Sequence, residues 1–334
     1  MASSGSISAK SNKSTLAFAG SKVVMPQYPI LNGKYALMSR LGEGNTSKVY
    51  LAQTVDATQQ MVAIKIIKDD FLQKDPAGAK KAVLSEVSTL HALKQHSNII
   101  KLLDYGDNGQ VYKPSGRTVE GLVYIVLEYV EGGLLLFDLC QQIGGPSGFG
   151  EAAGRFLFSQ LLDAMEHMHQ RQVAHRDIKL ENVLVDTSSM TLKVADFGYA
   201  AVGTELLKSY RGTFTYMAPE IKEGGKLYDG HKADLFSAGV VLFILVRGIF
   251  PFKEARKEEF FYSLLCQGNF QEYWSKVESQ YLSEEFRDLI QKMLSYDPKA
   301  RPSLEEIRAH PWMQAKPSSS AIIQQQLIDL VRQT

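Results

Sequence analysis

The sequence predicts an α+β protein of two lobes, a small β-rich lobe followed by a larger helical one. Three observations carry that prediction. From Tyr35 onward the chain runs through YALMSRLGEG, KVYLAQTV and MVAIKII, alternating and β-branched stretches separated by Gly-rich or polar turns. After Gly132-Gly133 the balance tips to helical spacing, with Phe156, Leu161, Met165 and Met168 on one stripe of EAAGRFLFSQLLDAMEHMHQ. Further on, KADLFSAGVVLFILV is apolar nearly all round, which predicts a helix central to a core.

In chain order, residues 1–34 form a Ser-, Ala- and Lys-rich zone without a single acid, carrying Lys10, Lys13, Lys22 and Lys34. Such a segment has too little apolar surface to offset its ordering entropy, so disorder is expected. Three strands read as an antiparallel meander follow. A helix is expected after Pro76, with Val83, Glu86, Val87 and Leu90 at helix spacing. Two more strand-like runs, IIKLLDY and LVYIVLEYV, flank Asp107 to Glu120, read as a surface insertion. The helical part continues through amphipathic segments around Phe286–Leu294 and Leu304–Ala309. A tail, 313–334, closes the chain with Ile323, Leu327 and Leu330 at helical spacing, a pattern that would dock on the protein or on a partner. Too few basic residues lie near it for a basic amphipathic target helix.

Composition narrows the function class. The 334 residues are long enough for a full core and carry a formal net charge of +1, so no overall field points to nucleic acid or an anionic membrane. Only Cys140 and Cys266 are present, too few and too far apart for a disulfide framework; a reducing, cytoplasmic or nuclear setting is expected. The apolar run Ala238 to Val246 is about half the ~20 residues that span a bilayer. The N-terminus shows no signal-peptide core, and Ala2 stands where myristoylation needs glycine. His167 and His169, two apart on a helix, face different ways and make a poor metal pair.

Four motifs carry chemistry. In LGEGNTSKV (Leu41, Gly42, Glu43, Gly44, Asn45, Thr46, Ser47, Lys48, Val49) the glycines could bring backbone close to phosphates; alone, it also reads as an ordinary hairpin turn. In Val62-Ala63-Ile64-Lys65 a lysine on an apolar strand must reach water or an anion, and Glu86 offers one. In His175-Arg176-Asp177-Ile178-Lys179-Leu180-Glu181-Asn182, Asp177 can orient a hydroxyl proton and Asn182 can ligate a hard cation. Between them, Lys179 can neutralise a moving phosphoryl. Asp196, in Asp196-Phe197-Gly198 after an apolar strand, suits Mg²⁺.

Taken with Ala218-Pro219-Glu220, the order and spacing of these motifs resemble the eukaryotic-type serine/threonine protein kinases, over roughly Tyr35 to Trp312. The calcium/calmodulin-dependent and AMP-activated-like group is the most similar, on Ser47 at the third glycine position, Gly132-Gly133, Phe137-Asp138 and His310-Pro311-Trp312. The resemblance implies a bilobal kinase fold, with a small lobe over 35–129 and a large lobe over 130–312, and phosphoryl transfer from ATP to Ser or Thr of protein substrates. Lys65, paired with Glu86, would hold the α- and β-phosphates, and Lys179 would contact the γ-phosphate. Asp177 would be the base, and Asn182 and Asp196 would ligate Mg²⁺. Leu127 would be the gatekeeper, Glu128 and Val130 would present hinge backbone to adenine, and Val49, Ala63 and Leu184 would enclose its ring.

His175, Phe197, Leu90 and Leu102 would stack into a column anchored by Asp234, and Glu220 with Arg301 would form a buried ion pair. Lys179 and Thr213 favour Ser/Thr over Tyr. Arg176 beside the base implies activation by phosphate on Ser209, from an upstream kinase, with Thr204 and Thr215 as weaker candidates. Two departures bear on specificity. Leu134 stands where similar kinases place a glutamate that reads an upstream arginine, and the run to Phe137-Asp138 is one residue longer; selection for that arginine is therefore expected to weaken. Glu181 remains available to a basic substrate.

Overall fold

A computed structural model describes residues 27–277, 281–315 and 319–333, with Pro146 described by its backbone alone. The expected disorder of residues 1–26 lies outside the described residues. Residues 30–34, by contrast, are ordered, which corrects the boundary at 35. Strand β1 (Ile30–Leu31) lies between β2 (Tyr35–Glu43) and β5 (Leu102–Tyr112) and pairs antiparallel with both. Leu31 is fully buried, and Asn32 donates to the Tyr124 hydroxyl at 2.8 Å while its Oδ1 accepts from the Gln110 amide. Two apolar residues thus tie the segment down; composition averaged over 34 residues concealed them.

The sheet continues through β3 (Ser47–Thr54), β4 (Met61–Ile67) and β6 (Thr118–Glu128), all antiparallel. Between β4 and β5 come α1 (Asp69–Lys74), a short helix without a sequence signal, and α2 (Pro76–Leu93). Asp75 caps α2 by accepting from the Gly78 amide, and Pro76 occupies its first turn. Asp107 to Glu120 is not a loop insertion but the outer half of a long hairpin, closing through Lys113–Arg117. Glycine is required at Gly106, where a Cβ would lie 2.5 Å from the Tyr124 ring.

The helical part opens with β7 (Leu134–Leu135) and α3 (Leu136–Leu139), which runs into a π-helical turn at Cys140–Gly144. A π turn is how a helix absorbs one extra residue, and it falls just after the lengthened run seen in the sequence. Helix α4 (Gly150–Gln170) leads to β8 (Val173–Ala174), then β9 (Val183–Asp186), β10 (Thr191–Val194) and β11 (Ala201–Val202). After α5 (Pro219–Lys222), helix α6 (Gly230–Arg247) buries every residue from Ala233 to Val246, as its all-round apolar pattern predicts. Asp229 caps its start and Gly248, at φ 71°, ends it. Helices α7 (Phe260–Cys266), α8 (Phe270–Lys276), α9 (Glu284–Met293), α10 (Leu304–Ala309), α11 (Pro311–Gln314) and α12 (Ser320–Gln333) complete the chain.

One continuous apolar core spans α4, α6 and α9 and reaches Leu90 and Leu93 of α2. Backbone bonds from Ile100 to the Val194 carbonyl (2.9 Å) and from Val194 to the Asn98 carbonyl (2.8 Å) stitch the strand-rich part to the helical part. Helix α12 packs on α4 and on the π turn through Ile323, Leu327 and Ile328. Leu330, expected on that face, is 45% exposed, and Ile328 takes its place. No helix among the described residues is long and apolar enough to cross a membrane.

Candidate functional site

The site forms where the strands meet the helical core. Lys65 sits in the middle of β4, opposite Val49 on β3 and Ile125 on β6. Its ammonium is nearly buried and reaches both oxygens of Glu86 on α2, at 2.8 and 2.9 Å, and Asp196 Oδ1 at 2.9 Å. Burial alone would lower the Lys65 pKa, but the two carboxylates outweigh it and push it well up, so the ammonium stays charged. Burial would raise the Asp196 pKa; Lys65 prevails and holds it below the usual carboxylate range.

Asp196 occupies the left-handed region at φ 60°, as does Arg176 at φ 66°. Aspartate tolerates this conformation and arginine does so at a cost, so the surroundings must impose it. Those surroundings are visible at Asp234 of α6. Wholly buried, its carboxylate accepts from the amides of His175 (2.8 Å) and Arg176 (2.7 Å), with His169 Nε2 at 3.3 Å. Burial by itself would raise the Asp234 pKa; the hydrogen bonds from His169 and the Arg176 amide, together with nearby His175, depress it instead. His169 is the contributor that sequence reasoning missed: its partner is 65 positions away and no periodicity signals it.

His175 is held from both sides of its ring. Nδ1 accepts from the Asp177 amide at 3.3 Å, which assigns the proton to Nε2, where it donates to the Ala195 carbonyl at 3.0 Å. The ring meets Phe197 edge-on at 4.8 Å, which places one contact of the expected column; Phe197 and Leu90 belong to the same large apolar core, and Leu102 is half-buried against that core.

Asp177 is the hub of a dense network. Its Oδ2 accepts from Asn182 Nδ2 (2.9 Å) and faces Lys179 Nζ at 2.7 Å; its Oδ1 accepts from the Thr213 hydroxyl at 2.8 Å. Lys179 also donates to Thr213 at 2.6 Å, and Asn182 to the Asp177 carbonyl at 2.9 Å. Asn182 spends its amide N–H groups on Asp177, which leaves Oδ1 as a neutral oxygen donor; Asp196 spends Oδ1 on Lys65 and keeps Oδ2. Two hard oxygens from different segments suit a small divalent cation.

The Gly-rich stretch is a tight hairpin turn in which Gly44 donates to the Ser47 carbonyl at 2.9 Å. Leu41, Glu43, Gly44, Asn45 and Thr46 are exposed and Ser47 is buried. A Cβ on Gly42 would meet nothing within 4 Å, so packing within the protein does not demand glycine there. Glu43 is drawn to Lys68 (2.7 Å) and Arg40 (2.6 Å), and Lys48 pairs across the strands with Glu43. Ala63 lies opposite Leu127, and Val49, Ala63, Leu127 and Leu184 are all half-buried. The Glu128 amide donates to the Lys101 carbonyl, its side chain takes Lys193 at 3.0 Å, and the Val130 carbonyl accepts from Gly133.

The segment after Asp196 is anchored at both ends. Arg176 donates to the Ser209 hydroxyl at 2.7 Å and to the Tyr199 carbonyl at 2.5 Å. Glu220 grips Arg301 through two bonds of 2.7 and 2.6 Å, with Arg301 buried. Glu181 is half-buried beside Tyr216, whose pKa is pushed up by burial and by that carboxylate.

The protein kinase domain model matches residues 35–313. CBL-interacting protein kinase 11 of Oryza sativa subsp. japonica is 36% identical over 288 residues, 85% of this chain and 52% of that protein. CBL-interacting serine/threonine-protein kinase 24 of Arabidopsis thaliana is 35% identical over 283 residues, 84% of this chain and 57% of that one. A probable serine/threonine-protein kinase of Dictyostelium discoideum is 34% identical over 288 residues, 84% and 31% respectively. The chain therefore spans between about half and two thirds of the length of the first of these curated relatives. With the match covering most of the chain, from the first long strand to the close of the helical core, the protein belongs to the protein kinase domain family and has a β-rich small lobe and a helical large lobe.

Proposed function

We propose that the chain is a protein serine/threonine kinase that transfers the γ-phosphoryl group of ATP to hydroxyls of protein substrates. One observation carries the reading: Asp177, Lys179, Asn182 and Thr213 form one hydrogen-bonded cluster, within a fold that also brings Lys65, Glu86 and Asp196 together. Asp177 would accept the proton of the incoming hydroxyl, with Thr213 and Lys179 fixing its orientation. Lys179 would carry positive charge to the moving phosphoryl, and Lys65 would hold the α- and β-phosphates. Bound Mg²⁺, held by Asn182 and Asp196, would supply charge neutralisation. The bare Gly42 turn suits close backbone approach to phosphate. Val49, Ala63 and Leu184 would enclose the purine. Since the Glu128 amide and the Val130 carbonyl are already bonded within the protein, the Glu128 carbonyl and the Val130 amide would serve adenine beside the gatekeeper Leu127.

The catalytic unit in this reading is 35–312 together with the strand Ile30–Leu31 that the sheet takes in, with lobes meeting near 129–130. Phosphate placed on Ser209 by an upstream kinase would face the Arg176 guanidinium that the hydroxyl already touches, and would hold the segment open for substrate. Two free cysteines and a near-neutral charge suit a cytoplasmic or nuclear enzyme without nucleic-acid or membrane targets. The name "CBL-interacting" describes relatives whose matched part is only about half to two thirds of their length. For this chain we propose protein substrates and an activating upstream kinase as partners.

Incubation with Mg-ATP and a degenerate Ser/Thr peptide library tests the activity. Asp177→Asn should lower kcat by about 10²–10⁴-fold with little change in ATP affinity. Equal incorporation by both proteins would reject the assignment. Phosphopeptide mapping of active enzyme should find Ser209 modified, and Ser209→Ala should lose most activity; full activity in that variant rejects the switch. An arrayed library should show weak selection for upstream arginine, since Leu134 offers no carboxylate to read it.

A further inference from the structure

The Gly-rich turn is held firmly on one side and loosely on the other. On the β3 side Ser47 is buried and stands opposite Ile67 of β4. On the β2 side the register with β3 shifts between Leu37 and Arg40 and again between Arg40 and Gly42. Such irregular pairing disrupts the ladder locally. Met38, Ser39, Arg40 and Leu41 are all exposed there, so burial adds little hold where the strand enters the turn.

A residue beyond β4 supplies the missing attachment. Lys68 follows Ile67 directly; its amide donates to the Thr46 carbonyl at 2.9 Å, and its ammonium lies 2.7 Å from Glu43 Oε1. Glu43 Oε2 takes Arg40 at 2.6 Å, but Arg40 is on β2 itself and ties the turn to nothing outside the hairpin. The hydrogen bond from Lys68 holds the Glu43 carboxyl below the usual carboxylate range, so the pair is charged on both sides at neutral pH.

The footing of Lys68 is firm. Ile67 is buried in a cluster with Val83 and Val87 of α2, and Leu72 packs against the same cluster. The Lys68 carbonyl accepts from the amides of Phe71 and Leu72, both at 3.1 Å, where α1 begins. Helix α1 in turn packs on α2, which carries Glu86. The tether thus runs from the tip of the turn to the helix that holds the partner of Lys65.

In the kinase reading the nucleotide phosphates lie under this turn. Exchange of nucleotide then requires the turn to lift, and lifting parts Glu43 from Lys68. Release of product by such a cover commonly limits turnover. We propose that Glu43 and Lys68 are positioning residues that latch the Gly-rich turn over bound nucleotide and slow the departure of ADP. This rests on the kinase reading and adds to it a control on product release.

Stopped-flow displacement of a fluorescent ADP analogue, mant-ADP with Mg²⁺, from the full chain tests the latch. Both side chains of the pair are partly exposed, so the effect is a few-fold. Lys68→Gln and Glu43→Gln should each raise the dissociation rate about three- to fivefold, and the double variant no further than either alone. Lys68→Arg should return the rate to within about twofold of the unaltered chain, and Arg40→Gln should leave it there. The gap between Lys68→Gln and the unaltered chain should close as salt rises from about 0.05 to 0.5 M. KM for ATP should rise in step, without loss of kcat. Unchanged dissociation rates in both single variants, or effects that add in the double variant, overturn the latch and leave the kinase reading standing. A fall in thermal midpoint that parallels the rate change assigns the pair to fold stability and overturns the proposal. Failure of the folded, unaltered chain to bind mant-ADP overturns the latch and the kinase reading together.

Discussion

At Asp177 a single carboxylate is surrounded by three groups that the sequence places 2, 5 and 36 positions away. The first two are legible as a motif, because a loop of that length brings Lys179 and Asn182 back to the aspartate. Thr213 could be matched only by resemblance. His169 had no sequence signal, since it acts through Asp234, which in turn fixes the strained backbone at Arg176. Asp234 also sets a pH dependence. Its folded pKa lies below its unfolded value of about 3.9, so the stabilisation is fully present above that pH and is lost as pH falls through the folded pKa. Urea midpoints should therefore drop between about pH 4 and the folded pKa. Asp234→Asn, which leaves a buried amide without its acceptor, should be less stable at pH 7 by about 1–3 kcal/mol and show a flatter acid profile. An unchanged acid profile in that variant would remove Asp234 from the account.

Elements show where periodicity suffices and where it does not. Helix α6 was legible because an all-round apolar stretch has one solution, the centre of a core. Helix α12 was legible as a helix but not in its facing: Ile323, Leu327 and either Ile328 or Leu330 all fit helical spacing, and only the seat on α4 and the π turn chooses Ile328. Leu327→Ala should cost about 2–5 kcal/mol, whereas exposed Leu330→Ala should stay within about 0.5 kcal/mol. Chemical denaturation of the two variants decides it; equal effects would mean that α12 does not dock in this orientation. The hairpin of β5 and β6 was obscured because its glycines read as loop. Gly106 is there to clear the Tyr124 ring, a contact across the sheet that local propensity does not record.

For the whole molecule, the Glu220–Arg301 pair joins the segment after the Asp177 loop to the far end of the helical core, 81 positions on. Arg301 also donates to the carbonyls of Ser295 and Lys232, so its loss strands several buried groups at once. Arg301→Ala should destabilise by about 3–5 kcal/mol, read from equilibrium unfolding, and a change under 1 kcal/mol would show that the pair contributes little. The sequence alone determined the two-lobe order and the Asp177–Asn182 loop motif, because each rests on short-range pattern: alternation, helical stripe and motif spacing. Tertiary structure alone decided the capture of Ile30–Leu31 by two strands, the face of α12, the hold of His169 on Asp234 and the tether of the Gly-rich turn to Lys68. Those depend on side chains brought together from distant positions, where the deciding energy is burial and hydrogen bonding at a contact that no local pattern encodes.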